Sequence, residues 1–123
     1  MEKKKALVID DEQIVLDSVR RILAAEDFDV ETTSNSREGI ALALDNTYDI
    51  VLTDVRMPQV DGMTVLLNIK SAKPSTPIVV MTGYATVRAA VEAMKYGATD
   101  YIQKPFTPEK LVMRVTAAID KAA

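Results

Sequence analysis

Short, unbroken apolar runs alternate along the chain with segments of helical period. Ala6-Leu7-Val8-Ile9 runs into Asp10, Ile50-Val51-Leu52 leads towards Asp54, and Ile78-Val79-Val80-Met81 leads into Thr82. Runs of this length suit strands buried on both faces of a parallel sheet. Phe28-Asp29-Val30-Glu31-Thr32 instead alternates apolar with polar, the pattern of an edge strand, and Tyr101-Ile102-Gln103 is short enough to be the other edge. Five strands are expected.

The segments between them carry a period near 3.6 residues. After Asp11, Val15, Val19, Ile22 and Leu23 make one apolar face, with Arg20, Arg21 and Glu26 largely outside it. Asn35 followed by Glu38 has the form of a capping box, ahead of Ile40, Leu42 and Leu44. Asp61-Gly62 opens a segment with Val65, Leu66 and Ile69 that stops before Pro74 and Pro77. Val87, Val91 and Met94 form a stripe, read as core packing, that ends at a Gly97 C-cap. Thr107-Pro108 reads as an N-cap with proline in the first turn, leading into Leu111, Val115 and Ile119. Five strands alternating with five helices predict an α/β fold, a doubly wound parallel sheet covered on both faces. The two edge-like strands favour the flavodoxin-like order 2-1-3-4-5, whose ligand crevice lies between strands one and three.

With 123 residues, 48% of them hydrophobic and 27% charged, one domain over 1–123 is expected, with no linker and no strong repeat. Histidine, cysteine and tryptophan are absent. That excludes a Cys₂His₂ zinc site, a Ser-His-Asp triad, a catalytic thiol and a disulfide scaffold. The net charge of −3 argues against direct nucleic-acid binding, which needs a basic surface to release counterions. Lys3-Lys4-Lys5 reads as a solvated flank. No segment has the roughly 18 apolar residues of a membrane span, and the N-terminal run is too short for a signal peptide, so a cytoplasmic location is expected.

The polar residues then fall into a pattern. Asp10 and Asp11 close the first strand, Asp54 the third and Thr82 the fourth, while Lys104 follows the fifth. Four strands thus deliver reactive groups to one edge of the sheet, where open α/β folds keep their sites. Taken singly, each residue has an ordinary structural reading: a helix cap, a loop, a surface turn. Together they do not. Carboxylates about 4 Å apart repel by roughly 4 kcal/mol at an effective dielectric near 20, so a cation or protons must offset them. A hard divalent ion such as Mg²⁺, a lysine and a hydroxyl beside an acceptor carboxylate make a pocket for phosphoryl transfer. Asp54 at the switch point is the natural nucleophile.

Asp10-Asp11, Asp54-Val55-Arg56-Met57-Pro58, Asp61-Gly62, Thr82-Gly83 and Tyr101-Ile102-Gln103-Lys104-Pro105-Phe106 together resemble the receiver domain of bacterial two-component response regulators. Met81-Thr82-Gly83-Tyr84-Ala85-Thr86 and Ala90-Val91-Glu92-Ala93-Met94-Lys95 are similar to receivers of transcriptional activators of the nitrogen-regulation and dicarboxylate-transport type. The resemblance implies that Asp54 accepts the phosphoryl group and that Asp10, Asp11, Asp54 and the Arg56 carbonyl hold Mg²⁺. It implies that Lys104 and Thr82 bind phosphoryl oxygens, that Thr82 and Tyr101 form the switch, and that Lys104-Pro105 is cis. Arg56 and Tyr84 fall where the family tunes phosphoryl lifetime.

The implied partners are a sensor histidine kinase, a downstream output domain or protein, and a second copy on phosphorylation. A phosphohistidine donor has to come from another protein, since this chain has no histidine. No output domain is expected within the 123 residues, and the uncapped helix to Ala123 leans towards a receiver cut from a longer chain. Beyond its own phosphorylation and dephosphorylation no enzyme activity is expected. A phosphohydrolase of the haloacid-dehalogenase type would need two aspartates spaced by one residue after the first strand, whereas Asp10 and Asp11 are adjacent. The alternative is a phosphorylation-independent interaction module: loss of Asp54, Lys104 or one of the acidic pair would suggest it, and all are present, but a receiver that binds its partner equally well as Asp54→Ala would still support it.

Overall fold

In a computed structural model of the chain, residues 3–55, 62–83 and 87–122 are described. Among them strands and helices alternate: β1 (Lys4–Ile9), α1 (Gln13–Ala25), β2 (Phe28–Thr33), α2 (Ser36–Asp45), β3 (Ile50–Asp54), α3 (Gly62–Ala72), β4 (Ile78–Thr82), α4 (Val87–Lys95), β5 (Asp100–Gln103) and α5 (Pro108–Ala122). The sheet is parallel throughout and ordered β2-β1-β3-β4-β5, the expected topology. Every residue of β3 and β4 is buried, while β2 and β5 keep exposed positions, as edges do.

Alternation along each strand divides the interior in two. Ala6, Val8, Leu52 and Met81 face α1 and α5, where Leu16, Val19, Leu23, Leu111 and Val115 complete one core. Leu7, Ile9, Val51 and Val80 face the other way, onto Val65, Leu66 and Ile69 of α3 and Ala93 of α4. Burying both sheet faces leaves only the strand ends for polar chemistry.

Three helices present faces that differ from the sequence reading. In α1 the deeply buried residues are Leu16, Val19 and Leu23, with Val15 and Ile22 packed at the margin. In α2 the buried face is Ser36, Gly39 and Ala43, and Leu44 is exposed. Gly39 lies so close to Ile9 that a side chain there would press on the isoleucine. The largest difference is in α4. Ala90 and Ala93 are buried, whereas Val91 and Met94 are 47% and 43% exposed. The stripe is therefore not core packing. Small alanines take the inner face and let the helix approach the sheet, which rotates the larger side chains outward by about a quarter turn. The Val87 side chain lies outside the described residues, as do Arg56, Asp61 and Tyr84.

The helix ends follow the sequence. Asn35 Oδ1 accepts from the Glu38 N–H at 3.0 Å, and Thr107 Oγ1 from the Lys110 N–H at 3.2 Å. Gly97 adopts φ +103, and the Ala98 N–H reaches back to the Ala93 carbonyl at 3.0 Å, closing α4. At the start of α3, the Gly62 N–H donates to the Val55 carbonyl at 2.8 Å. A Cβ on Gly62 would collide with the Asp54 carbonyl oxygen and the Val55 Cα, both backbone atoms that cannot swing aside. At Gly83 a Cβ would meet nothing within 4 Å. Gly62→Ala should therefore destabilise the fold by about 2–3 kcal/mol in urea unfolding, whereas Gly83→Ala stays within about 1 kcal/mol of wild type. Equal costs would show that α3 does not press on the end of β3.

Candidate functional site

The parallel register brings the carboxyl ends of β1, β3 and β4 level. Ile9 pairs with Thr33 and Thr53, Asp54 with Met81, and Thr82 with Gln103. Asp10, the first residue beyond β1, is fully buried, and Asp54 and Thr82 are 6% and 2% exposed. Lys104 follows β5 and is anchored by its own N–H, which donates to the Thr82 carbonyl at 2.7 Å. The Lys104–Pro105 peptide bond is cis.

The Lys104 ammonium stands among three carboxylates. It donates to Asp10 Oδ2 at 2.6 Å and lies 3.5 Å from Asp54 Oδ2 and 3.6 Å from Glu12 Oε1. Asp10 Oδ1 also accepts from the Glu12 N–H at 2.9 Å, so both of its oxygens are engaged. Asp54 Oδ1 accepts from the Val55 N–H at 2.7 Å. The sequence-predicted Asp10, Asp54 and Lys104 are thus in direct contact. Carboxylate oxygens of Asp10, Asp11, Glu12 and Asp54 all lie within 4.8 Å of one another, a set of hard oxygen donors that suits Mg²⁺. Asp11 and Glu12 are exposed, so the cluster opens to solvent on that side.

Electrostatics follow from burial. Loss of solvent raises the Asp10 carboxyl above the ordinary carboxylate range. The hydrogen bonds from Lys104 and the Glu12 N–H oppose that rise without cancelling it, and the Asp54 charge adds to it. For Lys104, burial pulls the ammonium down. The hydrogen bond to Asp10 and the charges of Asp10, Asp54 and Glu12 outweigh that, and its pKa stands above the ordinary value. The lysine is held firmly protonated. Thr82 Oγ1 is buried without a hydrogen-bond partner among the described residues, a rare condition for a native hydroxyl.

Beside Lys104 the site opens into a cleft of about 710 Å³, lined by Glu12, Ile14, Arg21, Gly83 and Phe106 among others. Its lining mixes charged side chains with apolar ones, among them Ile14, which is 73% exposed. Tyr101 is 37% exposed, and near it Arg114 of α5 donates to both oxygens of Asp100 at 3.0 and 3.2 Å.

The family model for the response regulator receiver domain matches residues 6–116. The chain belongs to that family. It is 40% identical over 119 residues to the regulatory protein AtoC of Escherichia coli (strain K12), which covers 94% of this chain and 25% of AtoC. The receiver domain protein (CheY-like) of Methanospirillum hungatei superposes with a TM-score of 0.93 at 29% identity, over 98% of this chain and 97% of that one. The beryllofluoride-activated NtrC4 receiver domain dimer gives 0.92 at 30% identity, over 97% and 98%. The chain spans a quarter to a half of the curated relatives it matches. The likeness to AtoC and NtrC4 agrees with the activator-type motifs around Thr82.

Sequence reasoning did not place Glu12 at this receiver's site. The only signal was a third carboxylate following Asp10-Asp11, which the capping pattern of α1 masks. Gly62 was read as a helix opener, whereas it also sets the closest approach of α3 to Asp54.

A pH dependence follows from Asp10. A carboxyl whose folded pKa is raised favours the fold when protonated, and that contribution is lost as pH rises through the folded value. At neutral pH the ionised Asp10 is therefore a cost, and Asp10→Asn should melt a few degrees higher than wild type without Mg²⁺. The gap should close as pH falls through the raised Asp10 value. Thermal melts that show a pH-independent gap, or a less stable Asp10→Asn, would contradict this assignment.

Proposed function

We propose that this receiver domain is a phosphorylation switch in which Asp54 accepts a phosphoryl group. The observation that carries the reading is the Lys104 ammonium, just after β5, within 3.6 Å of three carboxylates that follow β1 or end β3. Phosphoryl transfer needs little covalent chemistry from a protein beyond a nucleophile in line and charge neutralisation around the equatorial oxygens. Asp54 supplies the nucleophile. Asp10, Asp11 and Asp54 would hold Mg²⁺ together with the backbone carbonyl of Arg56, a residue outside the described ones. The ion supplies charge neutralisation on the transferred group. Lys104 pairs with one phosphoryl oxygen, and the partnerless Thr82 hydroxyl donates to another.

That last contact is the switch. Thr82 gains a hydrogen bond only when the phosphoryl group is present, and this biases a two-state equilibrium. Tyr101, two strand positions from Gln103 and exposed, follows the movement of Thr82 inward. The readout is the α4-β5-α5 face, where Val91, Met94, Tyr96 and Tyr101 are each at least 37% exposed. An exposed apolar patch of this kind suits a partner or a second copy, and the similar NtrC4 receiver domain is a dimer when activated by beryllofluoride.

The donor is a sensor histidine kinase, and the output is control of transcription by a further domain or protein outside residues 1–123. The domain takes up and hydrolyses its own phosphoryl group and acts on no other substrate. It works in the cytoplasm without membrane contact or direct nucleic-acid binding. No described helix is long and apolar enough to cross a membrane.

Incubation with Mg²⁺ and acetyl phosphate should add the mass of one phosphoryl group, with no addition to Asp54→Ala or after chelation of the metal. An unchanged mass, or equal labelling of Asp54→Ala, would sink the assignment. With beryllofluoride and Mg²⁺, sedimentation velocity should show a shift towards dimer that Val91→Glu abolishes. A monomer under both conditions would remove the second-copy readout while leaving the phosphorylation intact.

A further inference from the structure

Glu12 precedes α1 as its N-cap, yet its side chain makes no capping bond. Glutamate is a poor cap, and the carboxylate serves another end. Its Oε1 lies 3.6 Å from Lys104 Nζ, and its backbone N–H holds Asp10 Oδ1 at 2.9 Å. One residue therefore touches both the buried acid and the buried base of the site. The three carboxylates around Lys104 differ sharply in exposure. The side chains of Asp10 and Asp54 are 0% and 8% exposed, that of Lys104 12%, and that of Glu12 59%. Glu12 is the solvent-side member of the group, on the wall of the cleft beside Lys104.

We propose that Glu12 is a positioning residue that competes with the phosphoryl group for Lys104, sharing the ammonium with Asp10 while Asp54 is unphosphorylated. This deepens the phosphorylation reading above and rests on it. Lys104 has one charge to distribute. In the unphosphorylated protein its short contact is with Asp10 at 2.6 Å, and Glu12 at 3.6 Å adds a further attraction from the solvent-exposed side. A phosphoryl group on Asp54 brings more negative charge and must recruit the lysine against both. Asp10 cannot be relieved of this role without losing a metal ligand. Glu12 can be neutralised while Asp10, Asp11 and Asp54 all remain, and saturating Mg²⁺ keeps its place among the clustered donor oxygens from setting the readout. Its exposure also makes its pull on Lys104 the one that salt can screen.

The test is an equilibrium one, with beryllofluoride as the phosphoryl mimic at saturating Mg²⁺. Glu12→Gln keeps the backbone N–H and the side-chain shape but removes the charge. It should bind beryllofluoride about two- to fivefold tighter than wild type, the range expected of an exposed ion pair. The gain should shrink as ionic strength rises, and it should vanish in a Lys104→Met background, where there is no ammonium to compete for. Unchanged affinity in Glu12→Gln would overturn the role. So would a gain that is constant with salt, or one that persists without Lys104 and therefore reflects direct repulsion of the anion. Salt screens both effects alike, so the background without the ammonium decides between them, with Lys104→Gln used where Lys104→Met does not fold. A wild type that binds no beryllofluoride, or binds it equally as Asp54→Ala, removes the phosphorylation reading itself and this role with it.

Discussion

The site depends on one ammonium group held among carboxylates in a place nearly sealed from water. Asp10 and Asp54 come together because they end neighbouring parallel strands, and neither has enough solvent to dissipate its charge. Without a cation their mutual repulsion would oppose the closing of the strand ends. Lys104 is that cation. Its position depends in turn on the short β5, on the bond from its N–H to the Thr82 carbonyl, and on the two hydrophobic layers that keep the sheet in register. A buried ion pair of this kind contributes little net stability compared with apolar packing. Its presence here makes sense as stored electrostatic potential rather than as scaffolding.

That potential explains why the fold tolerates two unfavourable features at the same edge. Asp10 is ionised only against a desolvation cost, and the Thr82 hydroxyl is buried without a partner among the described residues. Either alone would be unusual in a packed core. In the proposed switch both would be resolved by the same event, arrival of an anionic group and a hard cation. The rigid floor is α3, whose first residue lies against the backbone of Asp54 and Val55.

Helix α4, on the same face of the sheet as α3, makes a different use of residue size. Ala90 and Ala93 let α4 lie close to the sheet, and Val91 and Met94 are left outside beside Tyr96 and Tyr101. Ala93 ties that helix into the core. Its C-terminal end is better defined: Gly97 closes it, and the Lys70 stem packs beneath that turn while its ammonium holds the Thr76 carbonyl.

Much of this was legible in the residues themselves. Apolar runs of strand length, the alternating edge pattern of Phe28 to Thr32, and the caps at Asn35, Gly97 and Thr107 determine which segments are strands and which are helices, because periodicity and capping are local properties. The same locality put Asp10, Asp54, Thr82 and Lys104 at strand ends before their distances were known. Tertiary structure decided what depends on rotation and depth. Which side of α4 faces inward could not be read from a stripe of large apolar residues, since small residues can occupy the buried face. Nor could a third carboxylate be distinguished from a helix cap until Lys104 was brought to it from 92 residues away in the chain. Sequence settles the order of elements and the chemistry at their ends; only packing settles which of those charges meet.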